Sequence, residues 1–407
     1  MTGNGLVLTA VAILLGAVLL NPRLVKWPFW QATVTPLASI IGSGFLVAGP
    51  ILAHAAGRHA WLAMLGLCAL AYLFGDALRH NIRHVEPLLA SRHRSGISAT
   101  VRGLERASEL ALSLAYFVSV AYYLNLFAAF GLRIEGIIDP FWIRVAATAS
   151  IAAVGAVGAL GGLTGLERVE IGAVGLKLSL IGGLFAALAV TTAAALAGGS
   201  FGWPELPHAY GLHELTLLLG LVILVQGFET SRYLGSKYDA EVRVRSMRWA
   251  QGIATAIYLV FILLITPYFT DGLPQQGGET AIIDMLRPVS LAVAPALIIA
   301  ALASQLSAAV ADMNGAGGLL TEIFGRRLKV RIGNLITALV AIAITWSANI
   351  YEIIAYASKA FVAYYALQSA QAFLSAWRQR RFLQAAFFLA AMAIALAIIL
   401  FATPVTV

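Results

Sequence analysis

The residues best placed to do chemistry in this chain lie inside apolar segments, and the first group is Gly42-Ser43-Gly44. The tripeptide occupies the middle of an apolar span over residues 32–57. Glycine in a helix interior costs about 1 kcal/mol relative to alanine, and its bare backbone permits unwinding. Unwound backbone at membrane depth is tolerated only where it is buried in protein or lines a cavity. The motif therefore predicts either a helix break that binds a ligand or a close helix–helix contact through small residues.

A second interruption of this kind begins at Gln226-Gly227, within the apolar span over residues 212–232. Unwinding at the first motif would leave free N–H groups at the positive end of a half-helix dipole, which suits a carboxylate or another anion. Carbonyls released before Gly42, and those around Gln226 and Gly227, could accept an ammonium group. An amino acid zwitterion would satisfy both ends. The predicted substrate-binding residues are Ile41, Gly42, Ser43, Gly44, Gln226, Gly227, Phe228 and Glu229, with Phe228 either closing the site as an aromatic gate or simply packing.

An ionisable group, Lys177, lies deep in the apolar span over residues 168–197. Burial favours the neutral amine, so this lysine could load and release a proton. The alternative is a lysine locked permanently to a carboxylate or to backbone carbonyls. Asp312 lies at a similar depth, so a Lys177–Asp312 pair or a Lys177–Ser307 contact is expected. We assign Lys177, Ser307 and Asp312 to proton coupling.

Other roles remain open for three ionisable side chains in the spans. Asp312 could instead cap a break at Asn314-Gly315. Glu229 could bind substrate, relay protons or accept hydrogen bonds from unwound backbone. Lys359 could pair with Glu352 or line the outer pathway.

The composition defines the class of protein that must position these groups. The chain has 407 residues, of which 60% are hydrophobic and 11% charged, with a mean hydropathy of +0.86. Soluble domains are about half apolar and a quarter charged, so this is a polytopic membrane protein. The single cysteine, Cys68, excludes an intramolecular disulfide or a cysteine metal cluster. The histidines show no metal-ligand spacing, and no catalytic constellation is present, so we expect no metal, no cofactor and no enzyme activity.

Apolar runs predict twelve membrane spans, a leading one and eleven that we number as core helices 1–11. Twenty of the 27 Lys and Arg residues fall in alternate loops, which places those loops in the cytoplasm and both termini outside. The net charge of +8 is then explained by basic residues that set the orientation of the helices in the plasma membrane. No nucleic-acid partner is expected. Arg232 is explained by snorkelling at a cytoplasmic helix end, and Arg79 is expected at the same interface. The predicted spans are 5–21, 32–57, 60–80, 107–131, 142–162, 168–197, 212–232, 249–269, 288–313, 332–348, 351–376 and 383–403.

The two interruptions occupy matching positions, because core helices 1 and 6 begin on opposite sides of the membrane. Matching breaks in the first helix of each half are what an inverted repeat around a central site predicts. The predicted domains are a leading helix and linker over 1–31, a first repeat over 32–197, a second repeat over 198–376, and a final helix over 377–407.

These motifs resemble those of one transporter superfamily. Ile41-Gly42-Ser43-Gly44-Phe45 resembles the first-helix turn of the amino acid–polyamine–organocation (APC) superfamily, and Gln226-Gly227-Phe228-Glu229 resembles its sixth-helix signature. The basic loop before core helix 7 and the glycine-rich end of core helix 8 (residues 315–322) also fit. The resemblance implies an all-α leucine-transporter-type fold of five plus five helices, with substrate held between core helices 1 and 6. It also implies proton coupling, since a helix-five lysine occupies the sodium position in some proton-driven members.

The expected activity is therefore secondary active transport of amino acids or related small amines and organic ions by alternating access. A proton gradient would supply the energy. One alternative is an inorganic-ion transporter of the same fold, although the Asp-Pro-Gly and Met-Pro-His motifs of metal-transporting relatives are missing. The other is a non-transporting membrane sensor or assembly subunit.

Overall fold

The computed structural model describes residues 3–42, 44–90, 99–160, 163–204, 211–270, 278–324 and 327–405. All regular elements in these ranges are helical, and each of the twelve predicted spans corresponds to a helix or a broken helix. Eight stretches are long and apolar enough to cross a membrane, and the stretch over Pro28–His84 contains both core helices 1 and 2. The leading helix, core helix 6 and core helix 10 fall outside this group of eight. The prediction of an all-α polytopic membrane protein is confirmed.

Core helix 1 is two half-helices, 1a and 1b, and core helix 6 consists of a short α-helix, 6a, and a 3-10 helix, 6b. Among the unbroken helices, partners in the two repeats have similar lengths: core helices 2 and 7 span 25 and 26 residues, and core helices 3 and 8 span 34 and 31. The bounds are Gly3–Leu19 (leading helix), Pro28–Ile40 (1a), Gly44–Ala56 (1b), Ala60–His84 (2), Ala99–Leu132 (3), Pro140–Leu160 (4), Leu163–Ala197 (5), Leu212–Leu219 (6a), Phe228–Ser236 (6b), Ala240–Ile265 (7), Val293–Ile323 (8), Val330–Ser347 (9), Ile350–Arg378 (10) and Phe382–Phe401 (11).

The leading helix packs along core helix 5 through small residues. A Cβ atom on Gly175 would lie 2.6 Å from a methyl carbon of Leu20, and one on Gly183 would collide with the Leu8 carbonyl. Asn4 closes the contact by donating hydrogen bonds to Thr191 Oγ1 (3.0 Å) and to the Val289 carbonyl (3.1 Å). Small residues that let backbones approach closely are the usual basis of helix association in membranes. The leading helix therefore fixes core helix 5, which carries Lys177.

An arginine–glutamate cluster joins core helices 3, 6 and 7 at the predicted cytoplasmic end. Arg232 is 7% exposed and pairs with Glu86 (3.1 Å) and Glu105 (2.8 Å), while Arg243 pairs with Glu86 at 2.7 Å. Snorkelling was therefore the wrong explanation for Arg232, because its guanidinium turns inward onto two carboxylates. Arg79 is likewise buried, 4% exposed, and bonds Gln251 of core helix 7. A buried charge without its partner is costly, so loss of a partner of one of these arginines should destabilise the protein.

We expect Arg232→Leu to lower the free energy of unfolding by about 3 kcal/mol, because it removes the counter-charge of the half-buried Glu105 and leaves Glu86 with Arg243 alone. The measurement is denaturant titration of the purified protein in detergent micelles. The matched control is Arg83→Leu, whose pair with Glu241 is largely exposed and should contribute less than about 1 kcal/mol. Equal losses in the two variants would show that the cluster acts as an ordinary surface pair.

Candidate functional site

The breaks of core helices 1 and 6 lie against each other in the middle of the bundle. Core helix 1 is interrupted between Ile40 and Gly44, and Gly44 starts the second half-helix. A Cβ atom on Gly44 would lie 2.6 Å from Leu224 Cα, and one on Gly227 would lie 2.6 Å from the Ile40 nitrogen. Glycine is required at both positions because each backbone touches the other break. The predicted interruption of core helix 1 is confirmed, and Ser43 lies outside the described residues.

The interruption of core helix 6 is longer than predicted and begins earlier. Half-helix 6a ends at Leu219, a short 3-10 turn follows over Val222–Val225, and Gln226 is extended. Gly227 has a φ of 118°, a conformation that favours glycine. Ser358 of core helix 10 supports the unwound backbone, because its hydroxyl donates to the Gly220 carbonyl (2.6 Å) and accepts from the Ile223 N–H (3.0 Å). The predicted range of 226–230 therefore covers only the end of the break, and the residues from Phe228 onward are helical.

The carbonyls released at the end of half-helix 1a are bonded to protein groups. Tyr258 Oη of core helix 7 lies 3.0 Å from the Ile40 carbonyl and also bonds the Leu224 carbonyl, so one hydroxyl ties the two breaks together. Ser304 Oγ of core helix 8 bonds the carbonyls of Ile41 and Gly42. Each of these hydroxyls has a single proton and each carbonyl oxygen has two lone pairs, so the carbonyls keep acceptor capacity and their binding of a substrate ammonium stays a prediction.

Lys177 reaches the same junction from core helix 5. Its side chain is fully packed, 2% exposed, and Nζ donates to the Ala38 carbonyl at 2.7 Å and to Ser304 Oγ at 3.4 Å. The amine therefore links half-helix 1a to core helix 8 beside the break. The serine that it contacts is one turn before the expected Ser307, which is half-buried. This buried amine thus contacts one backbone oxygen and one hydroxyl oxygen.

Asp312 has a different partner from the one expected. It is 2% exposed and accepts a hydrogen bond from Ser119 of core helix 3. Core helix 8 continues without interruption from Val293 to Ile323, so the proposed cap of a break at Asn314-Gly315 is wrong. The Asp312–Ser119 bond instead joins core helices 3 and 8, which occupy corresponding positions in the two repeats. Lys359 is half-buried and forms no ion pair among the described residues, while Glu352 caps the start of core helix 10 with Asn349.

The break of core helix 6 carries two buried oxygen atoms that lack donors. Gln226 donates from Nε2 to Tyr123 Oη (2.8 Å), which leaves Gln226 Oε1 without a partner among the described residues. Glu229 Oε2 accepts from the Gly227 N–H (2.9 Å) and from Tyr365 Oη (2.8 Å), while Oε1 has no partner there. A buried acceptor without a donor costs about 1–3 kcal/mol. This break is therefore the part of the site best suited to a ligand that donates hydrogen bonds.

Phe228 packs rather than standing free. Its ring stacks on Tyr365 at 5.1 Å between centroids, and Tyr365 stacks in turn on Phe74 of core helix 2 at 5.2 Å. The stack holds the Tyr365 hydroxyl against Glu229. Of the two roles considered for Phe228, packing is the one that these contacts support.

A cavity of about 530 Å³ lies between the breaks and the predicted cytoplasmic side. Core helices 1, 3, 6 and 8 line it, and its residues include Thr35, Tyr116, Thr230, Ala311, Asn314 and Glu322. A volume in this range holds a small ligand. The cavity lies beside half-helix 1a and core helix 8 on this side of the bundle.

Sequence reasoning missed the residues that hold the breaks together. Tyr258, Tyr123, Tyr365 and Ser358 lie on core helices 7, 3 and 10, far from either motif in the chain. Each is a polar residue at 5% exposure or less within an apolar span, which is the one signal that could have selected them. The hydrogen bonds of Ser304 of core helix 8 to the first break were not anticipated either.

Two matched broken helices in an inverted repeat, with a buried lysine at their junction, define the class as membrane transporters of the leucine-transporter type. The sequence matches the family of APC superfamily transporters over residues 22–402, so the chain belongs to the APC superfamily. It is 41% identical over 382 residues to an uncharacterized protein of Aquifex aeolicus (strain VF5), which covers 94% of this chain and 93% of the relative.

Among solved structures, the fold is similar to that of Mhp1, a nucleobase-cation-symport-1 family transporter in a closed conformation with bromovinylhydantoin bound. The TM-score is 0.54 with 15% sequence identity, over 89% of this chain and 82% of Mhp1. At that identity the likeness concerns the fold alone. The expected leucine-transporter-type fold and the APC assignment are both confirmed.

Proposed function

We propose that this protein is a proton-coupled secondary transporter of amino acids or related small amines and organic ions. The observation that carries the proposal is the position of Lys177, whose Nζ donates to the Ala38 carbonyl at 2.7 Å at the edge of the first break. An ammonium group there fills the position that a coupling cation would occupy. The proposal places the protein in the plasma membrane with both termini extracytoplasmic, as the distribution of basic loops predicts.

The chemistry of the two breaks supports an amino acid as the substrate class. The N–H groups at the start of half-helix 1b, near Gly44, present the positive end of a helix dipole to a carboxylate. The carbonyls at the end of half-helix 1a lie against the hydroxyls of Tyr258 and Ser304, so acceptors without a nearby donor suit the substrate amine better. Gln226 Oε1 and Glu229 Oε1 supply them at the second break. This assigns the carboxylate to core helix 1 and the amine to core helix 6.

Coupling follows from the contacts of Lys177. When it is protonated, Nζ donates to Ala38 and Ser304 and holds half-helix 1a against core helix 8. Loss of the proton weakens both contacts, because a neutral amine is a poorer donor than an ammonium group. Half-helix 1a is then free to move relative to core helices 5 and 8, which changes the access of the site to the two sides of the membrane.

The proposal is tested by uptake into vesicles that contain the purified protein. We expect a pH gradient, acidic on the side from which substrate is taken up, to drive accumulation of at least one substrate from a panel of amino acids, amines and small anions. A sodium gradient should not replace it, since the lysine fills the cation position. Collapse of the pH gradient with a protonophore is the control and should end accumulation. Uptake of inorganic ions alone, or no transport of any panel member, would contradict the proposed function.

A further inference from the structure

A second cavity lies at the opposite, predicted outer end of the bundle. Its volume is about 280 Å³, and the outer ends of core helices 3, 4, 9 and 10 surround it together with residues 278–280. This is near the lower end of the range of about 300–1,000 Å³ typical of ligand pockets, so it suits a small molecule. Its lining includes Asn125, Ile138, Arg144, Glu279 and Tyr351.

The outer cavity is separate from the breaks of core helices 1 and 6. Ser358 of core helix 10 bonds the unwound backbone of core helix 6, and Tyr351 lies seven residues earlier on the same helix. At a rise of about 1.5 Å per residue, Tyr351 is roughly 10 Å farther out. None of the predicted substrate-binding residues lines this cavity.

Two side chains of opposite charge line the cavity without neutralising each other. Arg144 and Glu279 are both half-buried, and neither forms an ion pair among the described residues. The hydrogen bond of Arg144 runs to the Ala348 carbonyl at 3.4 Å, which is long for a guanidinium donor. Tyr351 adds a buried hydroxyl that has no partner in the described part of the chain. A cavity that presents one cation, one anion and one open hydroxyl among mostly apolar walls is complementary to a small molecule that carries both charges.

The surrounding contacts hold these groups in place. Arg133, at the end of core helix 3, pairs with Asp284 of the short helix Ala281–Leu286, which begins two residues after Glu279. Asn349 and Glu352 form a reciprocal capping box at the start of core helix 10, which fixes the backbone beside Tyr351. The cavity is therefore built from anchored elements on three sides.

We propose that the outer cavity binds a small zwitterion of the amino-acid type, with its carboxylate on Arg144 and its ammonium group on Glu279. Tyr351 Oη supplies a further hydrogen bond to the carboxylate. The site goes beyond the central site of the proposed function, since it uses other residues and requires no transport to be detected. A ligand bound there would lie about two helical turns farther out than the break of core helix 6.

The test uses site-specific labelling, because the only cysteine, Cys68, is buried. Ile138→Cys places a thiol at the rim of the cavity, where Ile138 is 53% exposed. We expect L-alanine to slow labelling of this variant by a membrane-impermeant maleimide. When the L-alanine concentration is about ten times its dissociation constant, roughly a tenth of the sites are unoccupied, so the rate of maleimide labelling should fall about tenfold. Ethylamine and propionate, which carry one charge each, should protect much less.

Protection should be lost when Arg144→Gln or Glu279→Gln is added to Ile138→Cys. The matched controls are Arg287→Gln and Glu135→Gln, which change exposed charges at the same end of the molecule without lining the cavity. The same experiment in a Gly44→Leu background separates this site from the central one, because protection should persist there. Absence of any slowing by L-alanine, or equal protection in the Arg144→Gln and Glu279→Gln proteins, would overturn the proposal whatever the protein transports.

Discussion

Lys177→Ala should abolish substrate accumulation driven by a pH gradient while substrate exchange across the membrane continues. A group that carries protons must change its charge during the cycle, and Lys177 is the buried amine at the junction of half-helix 1a and core helix 8. Each pH unit corresponds to about 1.4 kcal/mol, so a coupled transporter reaches a roughly tenfold concentration ratio per proton. In the variant that ratio should fall to one. The measurement is uptake of labelled substrate into vesicles under an imposed pH gradient.

The control for this experiment is Lys359→Ala, which removes the other lysine within a predicted span. Lys359 is half-buried and lies on core helix 10, away from the first break, so accumulation should be retained. Exchange of labelled for unlabelled substrate shows that the Lys177→Ala protein is folded and binds substrate. If that protein still concentrates substrate when a pH gradient is the only driving force, Lys177 has a structural role.

Gly44→Leu should eliminate measurable substrate binding. The first atom of the new side chain would lie 2.6 Å from Leu224 Cα and 2.8 Å from the Leu224 carbonyl oxygen. Both are backbone atoms that cannot rotate away, so the breaks of core helices 1 and 6 must separate. Overpacking costs about 1–3 kcal/mol even where side chains can adjust, and the loss of affinity here should reach at least about 100-fold. The measurement is equilibrium binding of a substrate identified by vesicle uptake.

Gly66→Leu is the matched control, because a Cβ atom on Gly66 meets nothing within 4 Å and the residue is exposed on core helix 2. Its substrate affinity should remain close to that of the unaltered protein. A monodisperse elution profile and an unchanged helix content establish that the Gly44→Leu protein is folded. Unchanged affinity in a folded Gly44→Leu protein would refute the assignment of the site to these breaks.

The sequence by itself determined the class of protein, the helices, the break of core helix 1 and the end of the longer break of core helix 6. Helix positions follow from local composition, since a membrane span requires about twenty apolar residues whatever it packs against. The breaks were visible because Gly42, Gly44 and Gly227 are costly in a helix unless the backbone departs from it. The depth of Lys177 was equally a local property, readable from its distance to the ends of its span.

Only the tertiary structure decided which groups meet at the breaks. Lys177 could be matched with Asp312 on depth alone, but depth does not fix the direction in which a side chain leaves its helix. The rotation of each helix about its axis and its position along its neighbours place Lys177 against Ala38 and Ser304. The same two factors place Asp312 against Ser119. Arg232 was misread for the same reason, because Glu86 and Glu105 are more than a hundred residues away in the chain. Partners brought together by helix packing are set by contacts between distant segments, and neither composition nor spacing records them.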